Sequence, residues 1–105
     1  MSEATKIINL EGGSWKTQAD FYNALADALG SVEWHGRNAD AFMETMVYYL
    51  ELNRVQPPYE VRIRHPNDEL RPFLKDFASW VAEARVDRAG DPDWGDDVAV
   101  SVTVQ

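Results

Sequence analysis

The stretch YEVRIR, residues 59–64, alternates apolar and charged side chains. An alternation of period two is typical of a β-strand with one buried face, so we expect Tyr59, Val61 and Ile63 to point inward. Further strand-like runs lie towards the two ends of the chain, KIINL at residues 6–10 and VAVSVTV at residues 98–104, and we expect KIINL to be buried. Helical patterns separate the three runs. Strands separated by helices usually lie parallel, so the predicted fold is α/β, a small three-stranded parallel sheet packed with about three to four helices.

Two helical segments separate the first two strands. Thr17 is predicted to open the first helix with Asp20 as its capping partner, and Gly30 is predicted to end it. Asn38, a favoured N-cap residue, is predicted to open the second helix. The apolar stripe of this second helix is expected to contain Phe42, Met46, Tyr49 and Leu50.

A third helix follows the loop HPNDE at residues 65–69. Pro72 fits its first turn, where the missing N–H does no harm. We expect Trp80 to lie on the apolar stripe and therefore in the core. The acidic loop DRAGDPDWGDD, residues 87–97, leads to the last strand, and the sequence gives Trp94 no assignment. The predicted stripe of this helix is Phe73, Phe77, Trp80, Val81 and Ala84.

The length and composition are those of one globular domain. The chain has 105 residues, of which 45% are hydrophobic, so we expect a single domain over residues 1–105 with a flexible tail at residues 1–5. It contains no cysteine, which excludes disulfides, thiolate metal ligands and a thiol nucleophile. No apolar run approaches the roughly 20 residues that cross a bilayer. The N-terminus also lacks a secretory pattern, so we expect a soluble cytoplasmic protein without membrane contact.

The charge balance limits the possible partners. The formal net charge is −8, from 18 acidic and 10 basic residues. Nucleic-acid binding depends on clustered Lys and Arg, so we expect no nucleic-acid partner. A basic protein is the natural complement to this charge. Solubility alone is the alternative explanation, because an acidic surface also keeps a protein in solution.

Motifs of the familiar enzyme classes do not occur in the sequence. It has no Gly-rich phosphate loop, nucleophile elbow or His-Glu-x-x-His zinc motif. We therefore predict no enzymatic activity, cofactor, metal site or small-molecule substrate. One alternative stays open, an acid–base or metal set in which a histidine acts with nearby carboxylates. Its candidate members are His35, His65, Asp40, Glu44 and Glu83.

The segment EWHGRNADAFMETM, residues 33–46, carries the main candidate binding residues. Asp40 and Glu44 lie one helical turn apart, an arrangement of like charges that costs a helix roughly 0.2–0.5 kcal/mol. Trp34 lies between two helices, where its ring can flank a binding surface or cover the helix ends. The paired carboxylates indicate a function that offsets their repulsion.

Several segments together resemble the barstar family of ribonuclease inhibitors. They are KIINL, ADFYNALADALG, WHGRNADAFMET, FASWVAEAR and the C-terminal valine strand, and the resemblance covers roughly residues 5–104. Its most specific part is the pattern aromatic, x, Gly, x, Asn, x, Asp, which corresponds here to residues 34–40. The resemblance implies a barstar-like α/β fold and a role as an immunity protein or antitoxin.

The resemblance also implies a partner and a contact surface. The partner would be a basic secreted or toxin ribonuclease, bound one to one, with carboxylates in the place of its substrate phosphates. Glu44 stands where the family has the aspartate that enters the phosphate site. The implied contact residues are Trp34, His35, Gly36, Asn38, Asp40, Glu44 and Glu83.

Two departures from the family pattern affect the choice of partner. Glu44 has one methylene more than the family aspartate, and Arg37 stands where the family has an acid. A displacement of about 1 Å is enough to weaken a preorganised site, so we expect a ribonuclease other than barnase itself. The alternative is a barstar-like interaction domain that binds a different basic partner or associates with itself.

Overall fold

A computed structural model describes residues 4–31 and 36–105. Within these ranges, the sheet consists of β1 (Lys6–Glu11), β2 (Tyr59–Arg64) and β3 (Val100–Val104), in the order β1-β2-β3. Both neighbouring pairs are parallel, and Tyr59 lies opposite Lys6 on one side and Val100 on the other. The predicted α/β fold with a three-stranded parallel sheet is therefore confirmed.

The central strand β2 has the predicted alternation. Tyr59, Val61 and Ile63 are buried, while the residues between them are partly exposed. Alternate side chains of a strand point to opposite faces of a sheet, so the inward-facing set of β2 forms the floor of the core.

The two outer strands differ from the predictions, β1 in its burial and β3 in its first residue. In β1, Leu10 lies beside the buried Ile63 and is itself buried, whereas Ile7 lies beside Glu60, on the face of the sheet away from the core, and is exposed. The prediction of a buried KIINL strand is therefore wrong. β3 begins at Val100 instead of Val98, although Val98 is itself buried.

Helix α1 (Gln18–Leu29) has the predicted ends. Thr17 is its N-cap, and Thr17 and Asp20 form a complete capping box. The Asp20 carboxylate accepts hydrogen bonds from the backbone amides of Lys16 and Thr17, at 2.8 and 3.1 Å, and these bonds hold the pKa of this carboxyl below its usual value. Gly30 ends the helix in the left-handed conformation, with φ 66°.

The second predicted helix is only partly α-helical. α2 (Ala39–Met43) continues into a π-helix, Glu44–Tyr48, which we call the π segment, and then into a 3₁₀ turn, Leu50–Leu52. A π turn contains one residue more than an α turn and so rotates the following side chains away from the expected stripe. The predicted stripe position of Tyr49 is therefore wrong, because Tyr49 is 47% exposed.

Helix α3 (Arg71–Gly90) begins with Pro72 in its first turn as predicted, and it includes residues 87–90, which we expected in a loop. Trp80 is 38% exposed, so its predicted core position is wrong. At about 100° per residue, Trp80 lies roughly 90° from the centre of the buried face. The buried residues of that face are Leu70 just before the helix and Leu74, Phe77, Val81 and Arg88 within it.

The three α-helices share an aromatic core. The Phe21 ring of α1 lies 4.9 Å from the Phe77 ring of α3, and the neighbouring Tyr22 stacks on Phe42 of α2 at 5.7 Å. Trp15 packs on Phe21 at 5.5 Å and covers the entry to α1. None of the helices in the described ranges is both long and apolar enough to cross a membrane.

Candidate functional site

Asn38 fixes the start of the predicted binding helix. Its backbone is extended, and its side-chain Oδ1 accepts a hydrogen bond from the Ala41 amide at 2.9 Å. This cap places Asp40 in the first turn of α2, where the helix dipole favours a negative charge. The side chains of Asn38 and Asp40 are both exposed.

Glu44 lies one α-helical turn after Asp40. Its backbone amide donates to the carbonyl oxygens of Asp40 and Ala41, so the spacing between the two acids is the predicted one. Glu44 is exposed and is the first residue of the π segment. The carbonyl of Glu44 accepts the amide of Tyr49 at 2.5 Å, which is the i to i+5 hydrogen bond of a π-helix.

The structure also describes two residues just before α2, Gly36 and Arg37. Arg37 extends towards α1, where its Nη1 donates to Asn23 Oδ1 at 2.7 Å. Gly36 is exposed. A Cβ atom at this position would lie 3.2 Å from the side-chain Nδ2 of Asn38, closer than most contacts of this kind. Gly36 therefore gives Asn38 room to cap the helix. The predicted contacts Trp34 and His35 lie outside the described residues.

Asp40 shares a shallow pocket with α3. The pocket has a volume of about 250 Å³ and is lined by Ala39, Asp40, Met43 and Trp80. Glu83 is exposed and follows Trp80 by three residues, so both lie on the same side of α3. The packing of α2 against α3 thus joins the surface that carries Asp40 to the surface that carries Glu83.

Sequence reasoning missed Met43 and Trp80 as surface residues beside Asp40. Two sets of apolar residues on α3 have helical spacing. The set that contains Phe73 and Trp80 is the less buried of the two. A stripe centred on Leu74, Phe77 and Val81 also fits the spacing and would have left Trp80 at its margin. The spacing of this second set was the signal in the sequence that could have identified Trp80 as a surface residue.

Tyr22 connects the core to the candidate surface. The pKa of its phenol is raised, first by burial and also by the negative charge of Asp40, whereas a hydrogen bond with the Ala39 backbone opposes the shift. The Tyr22 ring stacks on Phe42, between the helix start and the core. The start of α2 is thus supported from below by a buried aromatic residue.

The acidic loop after α3 is largely tied to that helix. Asp97 forms a bidentate ion pair with Arg85, at 2.9 and 2.8 Å, and this pair is the main reason that the pKa of Asp97 is low. Asp96 pairs with Arg88 at 3.2 Å. Trp94, unassigned from the sequence, packs on Tyr48 at 5.5 Å and on Tyr49 at 5.8 Å.

The histidine alternative receives no geometric support from the described residues. His65 contacts Glu11 at 3.4 Å, next to the ends of β1 and β2. Within residues 4–31 and 36–105, no group of three His, Cys, Asp or Glu side chains is arranged to hold a metal ion.

The fold and surface define a small acidic α/β protein with exposed carboxylates at the start of a short helix. Residues 5–96 match the family described as barstar (barnase inhibitor). The chain therefore belongs to the barstar family, and the resemblance found in the sequence is confirmed. A comparison with curated proteins found no significant match.

Proposed function

We propose that this protein inhibits a basic ribonuclease by occupying its active site one to one. One observation carries the proposal: the family match over residues 5–96 includes the segment in which Asp40 and Glu44 are exposed on one helical turn. The proposed contact residues are Trp34, His35, Gly36, Asn38, Asp40, Glu44 and Glu83.

The physical basis of inhibition is mimicry of substrate charge. A ribonuclease binds phosphates with Arg, Lys and His side chains, and a carboxylate among these cations forms charge-assisted hydrogen bonds. The net charge of −8 would also accelerate the encounter with a basic enzyme. The protein needs no chemistry of its own for this role. Such an inhibitor would act in the cytoplasm as an immunity protein or antitoxin.

Glu44 determines which ribonuclease fits. Its extra methylene moves the carboxylate outward by about 1 Å, a distance that matters in a preorganised cationic site. We therefore propose a cognate enzyme with a different cation arrangement from that of barnase. A barstar-like domain that binds another basic protein, or a second copy of itself, is the second candidate, and Glu44 with Arg37 favours it.

The test mixes the purified protein with barnase, with other small basic ribonucleases and with any ribonuclease encoded beside it. We expect stoichiometric inhibition of at least one enzyme. Glu44→Gln preserves the shape of the side chain and should weaken that complex by about 2–5 kcal/mol, since it leaves the cations of the partner unpaired.

The matched control is Glu69→Gln, which removes an exposed negative charge just before α3, outside the proposed contact residues. It should change binding by less than about 0.5 kcal/mol. The proposal fails if no ribonuclease is bound, or if Glu44→Gln inhibits as well as the native protein. Capture of a basic protein that is not a ribonuclease, or self-association in sedimentation, would favour the second candidate.

A further inference from the structure

The π segment ends on a buried guanidinium. Arg88 of α3 is only 8% exposed, and its Nη1 donates to the carbonyl oxygens of Val47 and Tyr48, the latter at 3.2 Å. The last carbonyls of a helix have no partner within the helix. Arg88 supplies donors to them from a position 40 residues away in the sequence.

Two residues of the loop after α3 hold this guanidinium in place. Asp96 accepts from Arg88 Nε at 3.2 Å, and the Trp94 ring centroid lies 4.8 Å from the guanidinium carbon. Trp94 also packs on Tyr48 and Tyr49. We call Arg88, Asp96 and Trp94 the Arg88 clasp, because they join α3, the loop and the end of the π segment.

The clasp acts on the same turn that carries Glu44. The bond from the Tyr49 amide to the Glu44 carbonyl sets the π register, and Arg88 binds the two carbonyls just before Tyr49. Thr45, Met46 and Val47 are buried and cannot rotate without repacking the core. A change from the π to the α register would take the Tyr49 amide away from the Glu44 carbonyl. Glu44 and Tyr49 are the exposed residues at the two ends of that bond, so the shift would fall on them.

We propose that Arg88 is a positioning residue, which holds the π register and thereby orients the Glu44 carboxylate for the partner without touching the partner. The part of the inference that concerns binding rests on the proposed function. The part that concerns the register does not, because it can be measured in the free protein.

The first experiment measures how strongly the hydrogen bond of the Tyr49 amide is held in the free protein. Hydrogen exchange of the Tyr49 amide is compared in Arg88→Met and Arg85→Met. Arg85 is a matched control on the same helix, because it pairs with loop Asp97 and donates to the Val100 carbonyl at 2.8 Å but does not contact the π segment. We expect exchange about tenfold faster in Arg88→Met, as for the loss of a typical hydrogen-bond contribution, and no change in Arg85→Met. Equal exchange in the two variants overturns the inference.

The second experiment is a double-mutant cycle on the inhibited ribonuclease. Arg88→Met should weaken binding about tenfold when Glu44 is native but less than about threefold in the Glu44→Gln background. A residue that acts through Glu44 has little effect once the Glu44 charge is removed. Arg88→Lys should restore part of the affinity, since an ammonium can still donate to the carbonyls. An equal loss in both Glu44 backgrounds overturns the positioning role.

The possible failures are distinguishable. If the native protein binds no ribonuclease, the proposed function fails. Hydrogen exchange of the Tyr49 amide still tests whether the Arg88 clasp holds the π segment. If the enzyme is inhibited equally by the native protein and by Arg88→Met, the inference fails and the proposed function stands. If Arg88→Met does not fold, Asp96→Asn replaces it, because it leaves Arg88 in place and removes its largely exposed partner. The Asp96→Asn variant is expected to show the same pattern with smaller changes.

Discussion

Asn38 has one structural role and one proposed role. Its Oδ1 caps α2 by accepting the Ala41 amide, and we propose that the same residue contacts the partner. The cap uses only the oxygen of the side-chain amide. The NH₂ group of the same amide is the part that can contribute a partner contact, so the two roles depend on different atoms.

Two substitutions at Asn38 separate these roles. Asn38→Ser keeps an oxygen for the cap but loses the NH₂ group, whereas Asn38→Ala loses both. We expect Asn38→Ala to lower the free energy of unfolding by about 1 kcal/mol and Asn38→Ser to change it by only a few tenths. Urea unfolding measures the first effect and ribonuclease binding the second. If Asn38→Ser binds like the native protein, the contact role is wrong and Asn38 is a cap alone.

At the scale of elements, the local signals in the sequence were sufficient for α1. Thr17 with Asp20 and the terminal Gly30 are all within one turn of the ends that they specify. The parallel sheet was also predictable, because it follows from the order of strands and helices. The prediction of a buried β1 failed because a short apolar run does not indicate that one face of its strand is left uncovered, as the face that carries Ile7 is.

The error in the helix that follows Asn38 has a non-local physical cause. The π register after Met43 depends on contacts with Arg88, which is distant in the sequence, and no local period encodes it. Arg88 itself lies seven residues after the buried Val81, so a basic residue on the apolar phase was a signal for a buried partner. The exposed carboxylates were easier to predict, because a helix spacing of four fixes Asp40 relative to Glu44.

The different burial of Phe77 and Trp80 on α3 predicts different effects on stability. Phe77 is fully buried, and Phe77→Ala should lower the free energy of unfolding by about 3–5 kcal/mol. Trp80 is partly exposed, and Trp80→Ala should cost less than about 2 kcal/mol despite its larger ring. Val86→Ala, on the most exposed large apolar residue of α3, is the control and should be near neutral. Urea unfolding measures all three, and an equal cost for Trp80→Ala and Phe77→Ala would place Trp80 back in the core.

At the scale of the whole molecule, the described ion pairs lie away from Asp40 and Glu83. The ion pairs that the structure describes lie on the sheet, next to its strand ends and along the loop after α3, for example Glu60 with Arg62 and Asp97 with Arg85. Asp40 and Glu83 have no ion pair within the described part of the chain. The charges of Asp40 and Glu83 are therefore not balanced by a described ion pair, and a basic partner would be attracted to the surface that carries them.

The paired acids also set the response to pH. The pKa of Asp97 is lowered, first by its hydrogen bond with Arg85, so the folded state binds the proton more weakly than the unfolded state. The stabilisation is complete above the ordinary Asp value of 3.8 and is lost as the pH falls through the lower folded value. Asp97→Asn should therefore be less stable than the native protein at neutral pH, and the difference should shrink below pH 3.8. Urea unfolding across this range tests the prediction, with Glu69→Gln as the control for a general loss of charge. A difference that stays constant down to about pH 2 would show that the Asp97 charge does not stabilise the fold.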